Sequence, residues 1–297
     1  MDADTTASTA APSAKTIDVP WELNVPVADL YIVGYGMRLP NDLTLETLAI
    51  LKRCKRVFGG PPISAPSFGI PEMENVMELY APDKPRLQTY REMVALVLEA
   101  AADGPVAFAT YGSAMVGTLP AHRLLEEAPQ RGLKVHVANA VSSFDGIWAD
   151  FNIEPFYGFQ IWEASVLVKH EVIPDTKATL LLPQAPLYGI GTGMDPSTLR
   201  IEPSREVSQL QAYLRRFYPA DHVVHVATTS TGLGSPLSSI VKSVPLSELD
   251  GVEGHVSSTL VVPRLDHGLE HFDFDGPATS VTGGARRANV TPDLASG

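Results

Sequence analysis

Apolar positions along this chain follow two rhythms that alternate: short unbroken runs, and longer stretches with helical spacing. The run Asp29-Leu30-Tyr31-Ile32-Val33, closed by Gly34 and Gly36, predicts a β-strand. The next stretch, LTLETLAILKRC, sets Leu43, Leu45, Leu48, Leu51 and Cys54 at the spacing of an amphipathic helix. A second helix is predicted over residues 87–102, followed by the strand Val106-Ala107-Phe108-Ala109-Thr110. Then come the helix-like PAHRLLEEA, a strand over 134–138 and the helix-like SSFDGIWADF. Strands and helices in alternation predict an α/β layer fold.

Beyond this region the balance shifts toward strands. Strand-like pieces fall at 158–161, 178–183, 222–227, 239–244 and 257–263, and one helix, 206–217, interrupts them. The pattern predicts two α/β domains, 26–142 and 143–265. Residues 1–25, rich in Ala, Thr, Ser and Pro, and the Gly-rich acidic residues 266–297 show neither rhythm and are expected to stay mobile.

Composition narrows the class. Of 297 residues, 44% are apolar, enough for a globular core, and no apolar run is long enough to span a membrane. A net charge of −12 argues against nucleic acid or an anionic membrane as the main partner. The lone Cys54 cannot form an internal disulfide, and the start lacks the basic and apolar regions of a signal peptide, which fits a cytoplasmic protein.

Three motifs suggest chemistry and do not carry it. Gly34-Tyr35-Gly36 follows a strand as a dinucleotide fingerprint would, but Leu39 replaces the third glycine. Arg53, Cys54 and Lys55 occupy the region about 20 residues on where an acid is needed. A strand-to-helix turn bordering a substrate pocket is the plainer reading. His267-Gly-Leu-Glu270-His271 matches a zinc-binding pattern, but Gly268 weakens the helix that pattern requires, so no metal is expected. Gly189-Ile-Gly191-Thr-Gly193 lacks the lysine of a phosphate cradle and reads as a loop.

The ordered set of segments is more informative than any single motif. LYIVGYGMRLPNDLTLETLAILKRC, Tyr111-Gly112 after a strand, VANAVSSF, PLSEL and STLVVP follow one another across residues 28–264. In that order they resemble the tetrapyrrole methylase superfamily, the class III S-adenosylmethionine (SAM)-dependent methyltransferases. The resemblance implies an α/β fold of two domains, with SAM in the cleft between them. LYAPDKPRLQTYREM, WADFNIEP and IWEAS further resemble the borosin-type peptide backbone α-N-methyltransferases. That likeness implies Tyr80, Arg86, Tyr90 and Tyr111 as catalytic residues and a homodimeric assembly. By the same carry-over, Gly112, Ser113, Met115, Val116, Ser142 and Ser143 would line the methionine side of SAM. Gln184, Ala227, Ser258 and Thr259 would approach its adenosine.

Two loops depart from the family pattern. Gly112-Ser113-Ala114 stands where Gly-Asp-Pro or Gly-His-Pro is usual, and Asn139-Ala140-Val141-Ser142 where Pro-Gly-x-Ser is usual. Ser113 is short, so a contact made there by an acid or histidine is lost or passes through water.

Amide methylation gives the Tyr/Arg set a purpose. An amide nitrogen shares its lone pair with the carbonyl and is a poor nucleophile until its proton is removed. A tyrosine beside an arginine can act as the base, which assigns Tyr90 with Arg86 as its electrostatic partner. Tyr80 and Tyr111 would position the amide or stabilise charge on its oxygen. Arg86 and Tyr90 are four residues apart and share a helix face. On spacing alone they could equally be a surface arginine stacked on a tyrosine.

The tail has no compact apolar stretch, so the acceptor peptide is expected on a separate chain rather than in residues 266–297. Two other readings stay open: methylation of a small molecule such as a tetrapyrrole, and a non-catalytic SAM- or peptide-binding scaffold.

Overall fold

A computed structural model describes residues 23–60, 69–81, 83–188, 200–201, 205–229, 239–255 and 257–265. The first half builds a five-stranded parallel sheet. Its strands are β1 (Leu30–Gly34), β2 (Arg56–Gly60), β3 (Met73–Asn75), β4 (Val106–Thr110) and β5 (Val135–Val137), in the spatial order β3-β2-β4-β1-β5. Helix α1 (Leu45–Arg53) packs on one face, and α2 (Arg86–Ala101) and α3 (Leu119–Glu127) pack on the other.

Alternation along the strands divides the core. Tyr31, Val33, Val57, Ala107 and Ala109 meet Ile50 and Leu51 of α1. Leu30, Ile32, Phe58, Val106 and Phe108 meet Met93, Val94, Val97 and Leu98 of α2 together with Leu124 of α3. The sequence periodicity placed Leu45 on the buried stripe of α1, but it is 47% exposed. Thr47 is buried in its place and donates from Oγ1 to the Gly34 carbonyl at 3.1 Å, which ties the helix start to the end of β1.

Helix α4 (Ser143–Phe151) opens on a capping box. Ser142 Oγ accepts from the Phe144 N–H, the Ser142 N–H donates to Asp145, and the helix ends at Asn152 with φ 51°. The second sheet has order β10-β9-β12-β7-β6. Its strands are β6 (Phe159–Ile161), β7 (Thr179–Pro183), β9 (Val223–Thr228), β10 (Ile240–Pro245) and β12 (Thr259–Val262). Only β6 and β7 run parallel; the other pairings are antiparallel. A two-stranded ribbon pairs β8 (Arg200–Ile201) with β11 (Gly254–His255).

One face of the second sheet packs on α5 (Ala164–Lys169) and α6 (Arg205–Leu214). Its other face packs on Phe144 and Ile147 of α4, and Val116 from the first half joins that cluster. The two halves therefore meet through α4 and the segment that follows β4. The periodicity predicted most of these elements within a residue or two. It missed β2, β3, α5 and the β8–β11 ribbon; the strands among them are defined by pairing with distant segments, and α5 is a helix of six residues.

Candidate functional site

Strands β1 and β4 are neighbours, but their chain exits diverge. After β1 the chain crosses to the α1 face, and after β4 it crosses to the α3 face. Such a divergence opens a crevice at the carboxyl edge of a parallel sheet, the usual place for a ligand. Here the crevice is framed by Tyr35-Gly36 and Tyr111-Gly112. Gly36 and Gly112 exchange backbone hydrogen bonds, N–H to O, of 3.3 and 2.8 Å, and both have positive φ, +76° and +66°. Helix α2 precedes β4 and starts at this same edge, so Tyr80, Arg86 and Tyr90 arrive beside Tyr111. A Lys84–Glu92 ion pair of 2.6 Å braces the helix start.

The Tyr80 and Tyr90 rings meet edge to face, with centroids 6.2 Å apart and planes at 88°. Burial raises the pKa of Tyr80 most, and the Tyr90 phenol and a hydrogen bond with it add to the rise, while the Arg86 charge pulls the other way. Tyr111 keeps 38% of its surface open. Burial, then the Tyr90 phenol, push its pKa up. Both tyrosines therefore remain hydrogen-bond donors at neutral pH. Sequence reasoning overlooked Tyr35, a buried phenol raised by burial and by Tyr111. Its place beside the two glycines at a strand end was the available signal.

The other predicted residues fall into connected groups. Gly112, Ser113, Met115 and Val116 form the turn after β4, where the Val116 N–H donates to the Ser113 carbonyl at 3.0 Å. Thr259 pairs with both Pro183 and Ala227, which brings Gln184, Ala227, Ser258 and Thr259 together at one end of the second sheet. Gln184 has φ 55°, uncommon for a non-glycine residue and a mark of a constrained site. Ser258 is fully buried, and its hydroxyl bonds Thr228 Oγ1 at 2.7 Å and accepts from the His255 N–H at 2.9 Å. Val116 packs in the same apolar cluster as Ala227, so the turn after β4 joins the two groups. Ser142 lies at the start of α4 with its hydroxyl engaged: it donates to Asp145 at 2.8 Å and accepts from Phe144 at 3.2 Å. Ser143 is the first residue of that helix.

A polar cofactor of SAM's kind fits this cleft on two grounds. Close glycine packing brings main-chain groups to the crevice. Buried Thr229, just past β9, holds an Oγ1 without a partner. His267–His271 and Gly189–Gly193 lie outside the described residues. Among the described residues, no group of three or more His, Cys, Asp or Glu side chains could hold a metal ion, and no helix is long and apolar enough to cross a membrane.

The family model for Tetrapyrrole (Corrin/Porphyrin) Methylases matches residues 29–226. This chain belongs to that family. Among curated relatives, the methyltransferase/type II borosin cyclic peptide precursor of Phlebiopsis gigantea is 28% identical over 246 residues. That alignment takes in 80% of this chain and 43% of the relative. The methyltransferase/omphalotin A precursor of Omphalotus olearius is 27% identical over 250 residues, 79% of this chain and 58% of that one. The chain thus spans about half the length of the curated relatives it matches. In fold it is similar to the uroporphyrin-III-C-methyltransferase of Thermus thermophilus, with TM-score 0.52 and 19% identity over 81% of this chain and 98% of the other. Diphthine synthase is similar in fold too, with TM-score 0.53 and 17% identity over 79% of this chain and 89% of the other.

Proposed function

We propose that this tetrapyrrole methylase family member is a SAM-dependent methyltransferase that methylates backbone amide nitrogens of a peptide. The observation that carries the reading is the meeting of Tyr80, Arg86, Tyr90 and Tyr111 at the crevice between β1 and β4. The names of the curated relatives, each pairing a methyltransferase with a cyclic peptide precursor, support it.

Gly112, Ser113, Met115, Val116 and Ser143 would hold the methionine half of the cofactor. The main chain of Ser142 joins them, since its hydroxyl is already used by the cap. Gln184, Ala227, Ser258 and Thr259 would take the adenosine half. When bound, SAM supplies an electrophilic methyl group. Tyr90, ionised to the phenolate, would take the amide proton as nitrogen gains the methyl group, and Tyr80, hydrogen-bonded to Tyr90, would donate to that phenolate oxygen. Because its hydroxyl is engaged with Tyr90, Tyr80 acts by positioning, and Tyr111 is left as the donor to the amide oxygen as charge gathers there. Arg86 adds a fixed positive charge beside the phenols.

We place the acceptor on a separate peptide chain and the enzyme in the cytoplasm as a homodimer. Residues 266–297 are the competing acceptor, since the relatives carry both roles in one name. The deciding experiment incubates the protein with isotope-labelled SAM, candidate precursor peptides and, separately, a uroporphyrin-type tetrapyrrole. Label on peptide nitrogen that disappears in Tyr90→Phe supports the reading. Label on the tetrapyrrole alone, or cofactor bound with no label transferred, overturns it. Mass spectrometry of the protein itself decides the acceptor: one-carbon increments within residues 266–297 would move it from a separate chain to the tail.

A further inference from the structure

Two of the buried hydroxyls that lack a partner stand immediately before the two tyrosines argued above to face the peptide. Thr89 precedes Tyr90 and Thr110 precedes Tyr111, and both Oγ1 atoms are unbonded. Thr89 is fully buried and Thr110 is 7% exposed.

Topology sets these side chains on one interlayer. Thr89 lies one turn before Met93 and two before Val97, the residues with which α2 covers Phe108. Thr110 follows Phe108 by two positions in β4, so it points to the same side of the sheet. Helix α2 begins at the carboxyl edge, which is also where β4 ends. Both hydroxyls therefore occupy the end of the α2–β4 interlayer nearest the tyrosines.

A hydroxyl buried without a partner is unfavourable, and valine would fill the same volume without that cost. Threonine at both positions calls for a shared polar ligand. Both hydroxyls are buried in this interlayer, and a small molecule able both to donate and to accept would serve the two together.

We propose that Thr89 and Thr110 together bind one ordered water, which ties the first turns of α2 to the end of β4 and so positions Tyr90 against Tyr111. The positioning role rests on the reading of those tyrosines given under Proposed function; the water site itself does not.

A high-resolution crystal structure of the full chain tests the site directly. The expected result is a water at about 2.7–3.1 Å from both Oγ1 atoms. Absence of a water there, or separate protein partners for the two hydroxyls, overturns the proposal. The double variant Thr89→Val/Thr110→Val tests the role, using the peptide that the labelled-SAM assay identifies as acceptor. Its thermal midpoint is expected to match or exceed that of the wild type, with SAM affinity kept. Turnover should fall by about tenfold or more and its pH profile should move, because a small misplacement of reacting groups is costly. Serine at both positions should restore turnover. Wild-type turnover and pH profile in the valine variant would overturn the role. If the wild type methylates no peptide, the functional reading fails, and the crystal structure still decides the water site.

Discussion

Gly34 lies so close to Gly112 that a β-carbon on Gly34 would sit 2.1 Å from the Gly112 carbonyl oxygen, 2.7 Å from Ala140 Cβ and 3.0 Å from Ser113 Cα. Backbone, not a pliant side chain, blocks that position, so relief requires the turn after β4 to move. That turn carries Ser113, Met115 and Val116, which the proposed function assigns to the cofactor. Gly34→Ala should therefore cost about 1–3 kcal/mol by overpacking and also weaken SAM binding. Denaturant midpoints and titration calorimetry check the two effects. Gly251→Ala, at a site with nothing within 4 Å, serves as the control. A Gly34→Ala protein with native stability and native affinity would show that the close approach is not needed.

The perpendicular contact of Tyr80 with Tyr90 separates two kinds of tyrosine defect. Tyr80→Phe keeps the ring packing and removes the hydroxyl that is hydrogen-bonded to Tyr90. Tyr111→Phe removes the proposed donor to the amide oxygen, a change that typically costs about 100-fold or more in turnover. Tyr80→Phe should cost less, about tenfold, and should shift the pH at which turnover rises, since it acts through the base. Steady-state rates across pH with a methylated peptide distinguish the two. Equal losses with unshifted profiles would remove the distinction between positioning and charge stabilisation.

Much of the fold was legible because periodicity reports burial. The runs at β1, β4, β7 and β12 are buried almost throughout, so apolar content alone marked them. Residues 56–60 were not marked: Arg56 and two glycines dilute the run, and its strand character comes from pairing with β4 and β3. Leu45 shows the opposite failure, an apolar residue on helical spacing that the sheet leaves uncovered while Thr47 takes the buried place. In the site, resemblance brought Tyr80, Arg86, Tyr90 and Tyr111 together, and the start of α2 at the carboxyl edge where β4 ends supplies the reason they meet. Thr89 and Thr110 stayed hidden because nothing in a sequence marks an unpaired hydroxyl, and Tyr35 because its place beside two glycines at a strand end was its one signal.

Alkaline stability should follow from the buried acids that are neutral in the fold. Burial, opposed weakly by Arg53, raises Cys54 from 9.0 to about 12, and burial with Asp175 raises Tyr218 from 10.0 to about 12. Tyr35, Tyr80 and Tyr111 are also raised, chiefly by burial. A raised folded-state pKa means that the unfolded chain loses its proton first. Stability is therefore complete below the ordinary thiol and phenol values and falls as pH climbs from about 9 toward 12. Thermal midpoints measured across that window should drop steadily, and Cys54→Ala should flatten the start of the decline. A midpoint that stays level to pH 12 would mean that these groups ionise without penalty.

The acid side rests on Asp42, at the turn beside Gly36. Its side chain is 4% exposed and accepts from the Arg38 N–H at 2.9 Å and from the Arg38 guanidinium at 2.8 Å. Burial acts to raise its pKa, but the Arg38 hydrogen bonds and charge outweigh it, and the net shift is downward from 3.8. A lowered folded-state value means that the stabilisation is present above the ordinary carboxylate pKa. It disappears as pH falls through the folded value. Arg38 is 42% exposed, so salt trims the charge part and leaves the hydrogen bonds as the larger share. Asp42→Asn keeps the size and one acceptor, so a loss of about 1–2 kcal/mol is expected at pH 7. The same substitution should lessen the decline in stability below about pH 4. A β-carbon at Gly36 would lie 2.3 Å from Asp42 Cβ, so Asp42 packs directly on the turn that frames the crevice, and SAM binding should weaken along with stability. Urea unfolding at pH 7 and pH 3.5, run beside SAM titration, reads all three effects. An Asp42→Asn protein with unchanged stability at pH 7 would show that the buried pair only breaks even with its desolvation.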